Sequence, residues 1–142
     1  MQKITIHTDG GARSNPGPAG IGVVIQDENE KVIGEISKFI GSQTNNFAEY
    51  EALIQGLLKV QEMFPGKTDD IEMHVVMDSE LVVKQNQGLY KIKEPTLKEQ
   101  FGRVRAIVDE FFPHITFTHV KREHNAHADR LVNAAVDEAL GK

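Results

Sequence analysis

Four acidic residues stand where their carboxylates could act together. Asp9 follows a short run of alternating apolar residues and precedes two glycines, and Asp78 follows a second apolar run. Glu49 and Asp129 each precede an apolar stripe of helical spacing, which places each in the first turn of a core-facing helix. Taken singly, such residues serve in turns, helix caps and solvated helix ends. Together they predict a carboxylate cluster at one end of a sheet.

A cluster of this kind predicts metal-dependent hydrolysis of a phosphodiester. Ionised carboxylates in one cavity repel one another, and hard divalent cations relieve that repulsion. Mg²⁺ suits a few carboxylates, waters and a substrate phosphate. Two such ions about 4 Å apart can hold the attacking and leaving oxygens of an in-line displacement at phosphorus. No serine, cysteine or histidine nucleophile is then needed, because a water can attack.

Length and composition limit the other functions that the chain could have. Its 142 residues, 39% of them hydrophobic, suit a single domain over residues 1–142 with one core. The absence of cysteine excludes disulfides, thiolate metal sites and thiol nucleophiles. Neither a signal peptide nor a membrane-spanning run is recognisable, so we expect a soluble, cytoplasmic protein without a membrane partner. The net charge of −5 disfavours nucleic acid unless bound cations reverse the local field.

The elements that would position the four acids follow the order βββαβααβα. Three strands joined by short turns predict an antiparallel meander, and the later helical crossovers add two further strands. This order predicts an α/β fold with a five-stranded mixed sheet flanked by helices. The predicted strands cover residues 3–8, 19–26, 31–40, 71–77 and 115–120. The predicted helices cover residues 47–63, 79–87, 95–112 and 125 or 126 to 140.

Four short motifs resemble those of ribonuclease HI in their order and spacing. They are Thr8–Gly11, Thr44–Glu49, Met77–Ser79 and Asn125–Asp129, and the resemblance covers essentially the whole chain. It implies a ribonuclease H-like fold and an endonuclease that hydrolyses the RNA strand of RNA/DNA hybrids, leaving 5′-phosphate and 3′-hydroxyl ends. Two Mg²⁺ ions, replaceable by Mn²⁺, are implied as cofactors. Asp9 would bridge both metals, Glu49 and Asp78 would hold the one beside the leaving 3′-oxygen, and Asp129 would hold the other.

The resemblance also implies contacts with the substrate. Short polar groups suit the minor groove and 2′-hydroxyls of an A-like duplex. The residues implied to contact the RNA backbone are Gly11, Ser14 and Asn15. Those implied to contact the minor groove and the DNA phosphates are Thr44, Asn45 and Asn46. Ser79 and Arg122 are further substrate-binding candidates. For residues 44–46, capping of the following helix is a second interpretation that can hold at the same time. Arg122 would either order the loop before the last helix or meet a phosphate.

Two histidines, His124 and His127, precede the last acid, Asp129. Many relatives carry a histidine in this loop that assists proton transfer or product release, and His124 is the candidate here. The loop is shorter than in those relatives, so His127 is an alternative, and a solvated helix start explains either residue equally well. Their spacing without a third clear ligand disfavours a zinc site.

The chain departs from the best-known bacterial members at two places. Their long, basic, Trp-rich protrusion is replaced by the short segment 88–95, and the chain contains no Trp. Glu80 stands where many relatives have Gln, which removes an amide donor. Double-stranded RNA therefore stays open as a second substrate.

Two other functions compete with the nuclease. A hybrid or double-stranded RNA binding module without catalysis fits the acidic charge and the missing protrusion, but it would not need all four carboxylates. A metal-dependent enzyme for small phosphate esters is disfavoured because no phosphate-binding GxxxxGK[ST] loop is present and no second Asp follows Asp9 by two residues. The nuclease ranks first, and we expect a monomer with no obligate protein partner.

Overall fold

The computed structural model describes residues 1–142 as a sheet with helices on both faces. Its strands are β1 (Gln2–Ala12), β2 (Gly17–Gln26), β3 (Val32–Gln43), β4 (Ile71–Met77) and β5 (Ile115–His119). Its helices are α1 (Asn45–Met63), α2 (Glu80–Asn86), α3 (Pro95–Phe111) and α4 (Ala126–Ala139), with 3₁₀ turns at Thr68–Asp70 and Arg122–Asn125. None of the helices combines the length and the apolar content needed to cross a bilayer.

The strand order β3-β2-β1-β4-β5 makes β1 the central strand. β1 pairs antiparallel with β2 and parallel with β4, while the outer pairs are antiparallel for β2–β3 and parallel for β4–β5. The antiparallel half is the predicted meander, and the parallel half requires the helical crossovers. The prediction of a five-stranded mixed sheet flanked by helices is confirmed.

β1 is longer than predicted. It was expected to end at Thr8, but it continues to Ala12 and pairs with β2 as far as Ala19. The turn lies further on, where Arg13 N donates to Pro18 O at 2.9 Å. Gly10 and Gly11 are therefore strand residues, and Asp9 lies inside a strand. Gly10 is required for close approach, because a Cβ there would overlap the backbone of Ala48 in α1.

Smaller differences occur at the helix starts. α1 begins at Asn45, two residues before the predicted start, since the Thr44 hydroxyl caps it by accepting from Phe47 N at 3.2 Å. The prediction that Glu49 lies in the first turn is therefore wrong, and Glu49 lies in the second turn of α1. Ser79 caps α2 by accepting from Val82 N at 3.2 Å, so the alternative role of Asp78 as the N-cap is wrong. The loop predicted before α4 contains a 3₁₀ turn.

The main core lies between one face of the sheet and helices α1 and α3. Even-numbered residues of β1 point to this face, where Ile4 and Ile6 are fully buried. They pack in one cluster with Leu53 and Leu57 of α1 and Val104 of α3. The other face carries α4, which lies so close to β2 that a Cβ at Gly22 would overlap the carbonyl oxygen of Ala128.

Candidate active site

The site forms where β4 stops and β1 continues. The pairing of the two strands ends with Thr8 opposite Met77, so the rest of this edge of β1 has no strand partner. Backbone donors and acceptors that are left unpaired in the interior are costly, and side chains take the place of the missing strand. Thr8 O accepts from Asn125 Nδ2 at 3.0 Å, Gly10 N donates to Glu49 Oε1 at 2.8 Å, and Ala12 N donates to Asn45 Oδ1 at 2.8 Å.

Asp9 lies at the centre of this region. It is 4% exposed and opposes Gly22, so its side chain lies on the α4 face of the sheet. Burial raises the pKa of Asp9 to about 8, and the neighbouring carboxylates Asp78 and Asp129 contribute in the same direction. The folded protein therefore holds Asp9 in surroundings that disfavour its charged form.

Glu49 and Asp78 complete a compact trio with Asp9. One carboxylate oxygen from each lies within 4.8 Å of the others. Burial, followed by the charges of Asp9 and Asp78, raises the pKa of Glu49, and the bond from Gly10 N opposes that shift. The side chain of Asp78 is 6% exposed and accepts from Asn125 Nδ2 at 3.3 Å. Asp9 lies inside β1, Glu49 in the second turn of α1, and Asp78 directly after β4.

Asp129 lies in the first turn of α4, outside the compact trio but beside Asp9. It lines a cavity of about 430 Å³ together with Asp9 and Glu49. Asn133, one turn further along α4, donates from Nδ2 to Asp129 O at 3.1 Å and reaches Asp129 Oδ2 at 3.5 Å. The structure thus brings all four acids of the sequence analysis to one place.

Arg122 provides a positive charge at the rim of the cluster. Its Nε lies 3.5 Å from Asp78 Oδ2, and its side chain is 80% exposed. The charge of Asp78 raises the pKa of Arg122, so the guanidinium stays charged. One exposed cation does not balance four clustered acids, because solvent screens its charge.

The donor set fits hard divalent cations. All the donors are carboxylate oxygens, which Mg²⁺ and Mn²⁺ accept, and a soft or imidazole ligand is not among them. Burial, and after it the neighbouring carboxylates, raises the pKa of both Asp9 and Glu49, so the protein itself disfavours their charged forms. A bound cation would compensate the negative charge of those forms.

The predicted substrate residues form a rim along the β1–β2 hairpin and the start of α1. Gly11 lines the main cavity, and Ser14 Oγ donates to Pro16 O at 3.0 Å. Asn15 Oδ1 accepts from Asn45 N at 3.0 Å, which ties the hairpin to α1. A second cavity, of about 420 Å³, is lined by residues of the hairpin, of α1 and of the start of α3, among them Asn15, Thr44 and Asn46.

The remaining candidates lie at the starts of α2 and α4. Ser79 caps α2. Glu80, the next residue, accepts from Tyr90 Oη at 2.8 Å, and Tyr90 belongs to the segment 88–95 that replaces the protrusion. His124 is 68% exposed at its side chain, and with His127 it lines a smaller cavity of about 120 Å³ away from the main one. His127 contacts Glu35 of β3.

Two residues of the site were missed by sequence reasoning. Asn125 is 2% exposed and joins Thr8 of β1 to Asp78 at the end of β4. The sequence placed it only at the start of the last helix, and in the structure its side chain accepts no cap hydrogen bond from that helix. Asn133 stands one turn after Asp129 on an amphipathic helix, and that spacing was the available signal for it.

Comparisons with known proteins agree with this arrangement. The profile of the family described as Reverse transcriptase-like matches residues 7–135. LC11-RNase H1, isolated from compost by a metagenomic approach, superposes with a TM-score of 0.93 and is 58% identical, with 99% of each chain covered. The chain belongs to the type 1 ribonuclease H family. A crystal structure of LC11-RNase H1 in complex with an RNA/DNA hybrid matches with the same TM-score.

Other ribonucleases H match at lower identity. RNase H1 from the halophilic archaeon Halobacterium salinarum is 34% identical with a TM-score of 0.86, over 96% of this chain and 98% of that one. The bifunctional protein Rv2228c of Mycobacterium tuberculosis is 42% identical over 138 residues, which are 96% of this chain and 36% of that protein. The chain thus spans about a third of the length of the mycobacterial relatives that it matches.

Proposed function

We propose that the protein is an endoribonuclease that hydrolyses the RNA strand of RNA/DNA hybrids with two Mg²⁺ ions, leaving 5′-phosphate and 3′-hydroxyl ends. Mn²⁺ can replace Mg²⁺ in this proposal. The observation that carries it is the carboxylate cluster, in which buried Asp9 and half-buried Glu49 and Asp78 offer oxygens within 4.8 Å of one another. The structure of LC11-RNase H1 with a hybrid supports this choice of substrate, because that protein is 58% identical over 96% of this chain.

Each acid has a defined task in this proposal. Asp9 would hold both ions, Glu49 and Asp78 one of them, and Asp129 the other. When bound, the ions stabilise the charge that develops on the phosphoryl oxygens and lower the pKa of water. The four acids come from β1, α1, the end of β4 and α4, so the folded sheet fixes their relative positions before substrate arrives.

Hydrogen bonds hold the carboxylates in place. Gly10 N–H fixes one oxygen of Glu49, and the Asn125 amide fixes one oxygen of Asp78. Donors of this kind keep a ligand oriented and favour its charged form. Arg122, exposed beside Asp78, lies where a substrate phosphate would meet a positive charge.

The substrate would lie along the hairpin and the start of α1. Gly11, Ser14 and Asn15 would contact the RNA backbone, since Gly11 lines the main cavity with Asp9, Asn15 lines the second cavity, and Ser14 lies beside Asn15 in the hairpin turn. Thr44, Asn45 and Asn46 would contact the minor groove and DNA phosphates. The cap of Thr44 and the Ala12–Asn45 bond pre-organise this segment for that contact. Ser79 and His124 remain candidates for substrate contact and for proton transfer or product release.

Asp78→Asn tests the proposal most directly. It removes a metal ligand at nearly constant volume, while an Asn at this position keeps an oxygen that can accept from Asn125. Loss of even an outer-shell partner of a metal costs about 10–100-fold, so we expect cleavage to fall by more than about 100-fold. The measurement is cleavage of an end-labelled hybrid in Mg²⁺ and in EDTA, with matched double-stranded RNA and DNA alongside.

Asp109→Asn is the matched control, because Asp109 is an exposed residue near the end of α3 that lines neither of the two cavities assigned to the site and its substrate. It should cleave like the wild type. Full cleavage by folded Asp78→Asn protein would contradict the metal assignment. A wild type that binds hybrid in Mg²⁺ and Mn²⁺ without cutting it would instead favour the binding module.

A further inference from the structure

Asn133 lies between an arginine of the hairpin and a carboxylate of the site. Arg13 Nη2 donates to Asn133 Oδ1 at 3.3 Å and to Asn133 O at 3.4 Å. On its other side, Asn133 Nδ2 donates to Asp129 O at 3.1 Å and lies 3.5 Å from Asp129 Oδ2. Arg13, Asn133 and Asp129 all line the same cavity.

The chemistry of the three groups fixes the orientation of the amide. A guanidinium only donates hydrogen bonds, and an ionised carboxylate only accepts them. An Asn amide placed between them therefore has one favourable orientation, with Oδ1 toward Arg13 and Nδ2 toward Asp129. The flipped amide would set its N–H groups against the guanidinium and its oxygen against the carboxylate.

We infer that Asn133 is a positioning residue for Asp129 and that Arg13, by fixing the amide of Asn133, couples the hairpin to that carboxylate. The inference rests on the proposed function, in which Asp129 holds a metal. A hydrogen-bond donor that contacts a metal ligand without touching the metal commonly sets the orientation of that ligand, and its loss weakens metal binding.

Arg13 is itself held in place for this role. Its Nη2 also pairs with Asp137 Oδ1 at 2.9 Å, one turn beyond Asn133 on α4. Its backbone N–H closes the hairpin by donating to Pro18 O. Movement of the hairpin on meeting RNA would therefore reach Asp129 through the amide of Asn133.

A simpler role for the same contacts is a mechanical link between hairpin and α4. Such a link would change stability when broken, but it would leave the metal affinity of Asp129 unchanged. The two roles are therefore separated by a double-mutant cycle read out as metal binding rather than as cleavage.

The experiment measures Mn²⁺ binding by calorimetry for the wild type, Asn133→Ala, Asp129→Asn and the double variant. Asn133→Ala should weaken binding by about 10-fold in the wild-type background and cause no further loss in the Asp129→Asn background. Asn133 is exposed on a helix, so alanine is compatible with folding there. Arg13→Ala should give a smaller loss with the same dependence on Asp129.

Asp137→Asn is the control for the mechanical link, because it removes the charge of the ion pair while an Asn at this position keeps an oxygen that can accept from Arg13 and hold it beside Asn133. It should lower the melting temperature slightly and leave Mn²⁺ affinity within about 2-fold. Unchanged affinity in Asn133→Ala, or an equal loss in both backgrounds, would overturn the inference while the wild type still binds Mn²⁺ and cleaves hybrid. A wild type that binds no Mn²⁺ would overturn the proposed function and this inference together.

Discussion

The two ends of the sheet hold their helices by different means. At the far end, large side chains of β1 and α1, such as Ile4, Leu57 and Val60, fill the space between strand and helix. At the site end, helices approach strands backbone to backbone. Ala48 of α1 lies against Gly10, and Ala128 of α4 lies against Gly22, with no side chain larger than a methyl group between them.

Each of these alanines directly precedes an acid of the cluster. Ala48 precedes Glu49 and Ala128 precedes Asp129, and both alanines are fully buried. Flexible side chains at a helix–strand contact can adjust, whereas two backbones in contact leave no room for adjustment. The comparison indicates that the far end contributes burial and hence stability, while the site end sets the depth of the two helices that carry Glu49 and Asp129.

Gly22→Ala should have the largest effect on this arrangement. The added Cβ would lie 3.0 Å from Leu131 Cβ and closer still to the carbonyl oxygen of Ala128, so α4 must move outward. Because a misplacement of about 1 Å can cost about 100-fold in rate, hybrid cleavage should fall by about that factor in protein that remains folded. Cleavage assays with circular dichroism on the same sample measure both quantities.

Gly102→Ala is the matched glycine control. Gly102 lies in α3, and nothing is within 4 Å of the position that a Cβ would take. Alanine should there stabilise the helix by about 0.5–1 kcal/mol and leave cleavage unchanged. Wild-type activity in Gly22→Ala would mean that the depth of α4 does not set the position of Asp129.

Leu57→Ala should show the opposite pattern at the far end. Leu57 is fully buried in the main cluster, and Leu→Ala substitutions at such sites cost about 2–5 kcal/mol of the free energy of unfolding. Below the lowered melting temperature, cleavage should stay within about 3-fold of the wild type, since such cavities relax only locally. Urea unfolding and cleavage at low temperature test this, and a large loss of activity in folded protein would erase the distinction between the two ends.

The fold could be predicted from the sequence because its signals are local. Alternating apolar residues mark β2 and β4, and an apolar stripe with helical spacing marks α3. The order of the elements and the mixed sheet could be predicted from these patterns. The length of β1 could not be predicted in the same way. Gly10-Gly11 is typical of a turn, and only the approach of Ala48 shows that glycine is needed there for space.

The site could be predicted in part for a related reason. Strand ends and helix starts can be read from sequence, and they place Asp78, Glu49 and Asp129 at one end of the sheet. The bonds that hold these acids join residues far apart in the chain, as between Asn125 and Thr8 or Arg13 and Asn133. Nothing local distinguishes such an asparagine from a helix cap or a solvated residue.

Asp9→Asn tests the electrostatic consequence of bringing the acids together at the site end. In the unfolded chain Asp9 titrates near its ordinary pKa of 3.8, but in the folded, metal-free protein its pKa is raised to about 8. Between these values the unfolded chain binds fewer protons, so the contribution of Asp9 to stability is present below about pH 4 and is lost as pH rises through 8. Removing the charge should therefore stabilise metal-free protein at pH 8 by at least about 1 kcal/mol.

Calorimetric melting in EDTA from pH 5 to pH 8 provides the measurement. The wild type should lose stability relative to Asp9→Asn as the pH rises, and Glu49, whose pKa is also raised, contributes a loss of the same sign in both proteins. Added Mg²⁺ should restore the wild type, because ligand binding to the folded state stabilises it, and should help Asp9→Asn much less. If the wild type instead gained stability over the variant between pH 5 and pH 8 in EDTA, the acids would be compensated within the protein, and the site end would need no metal to balance its charge.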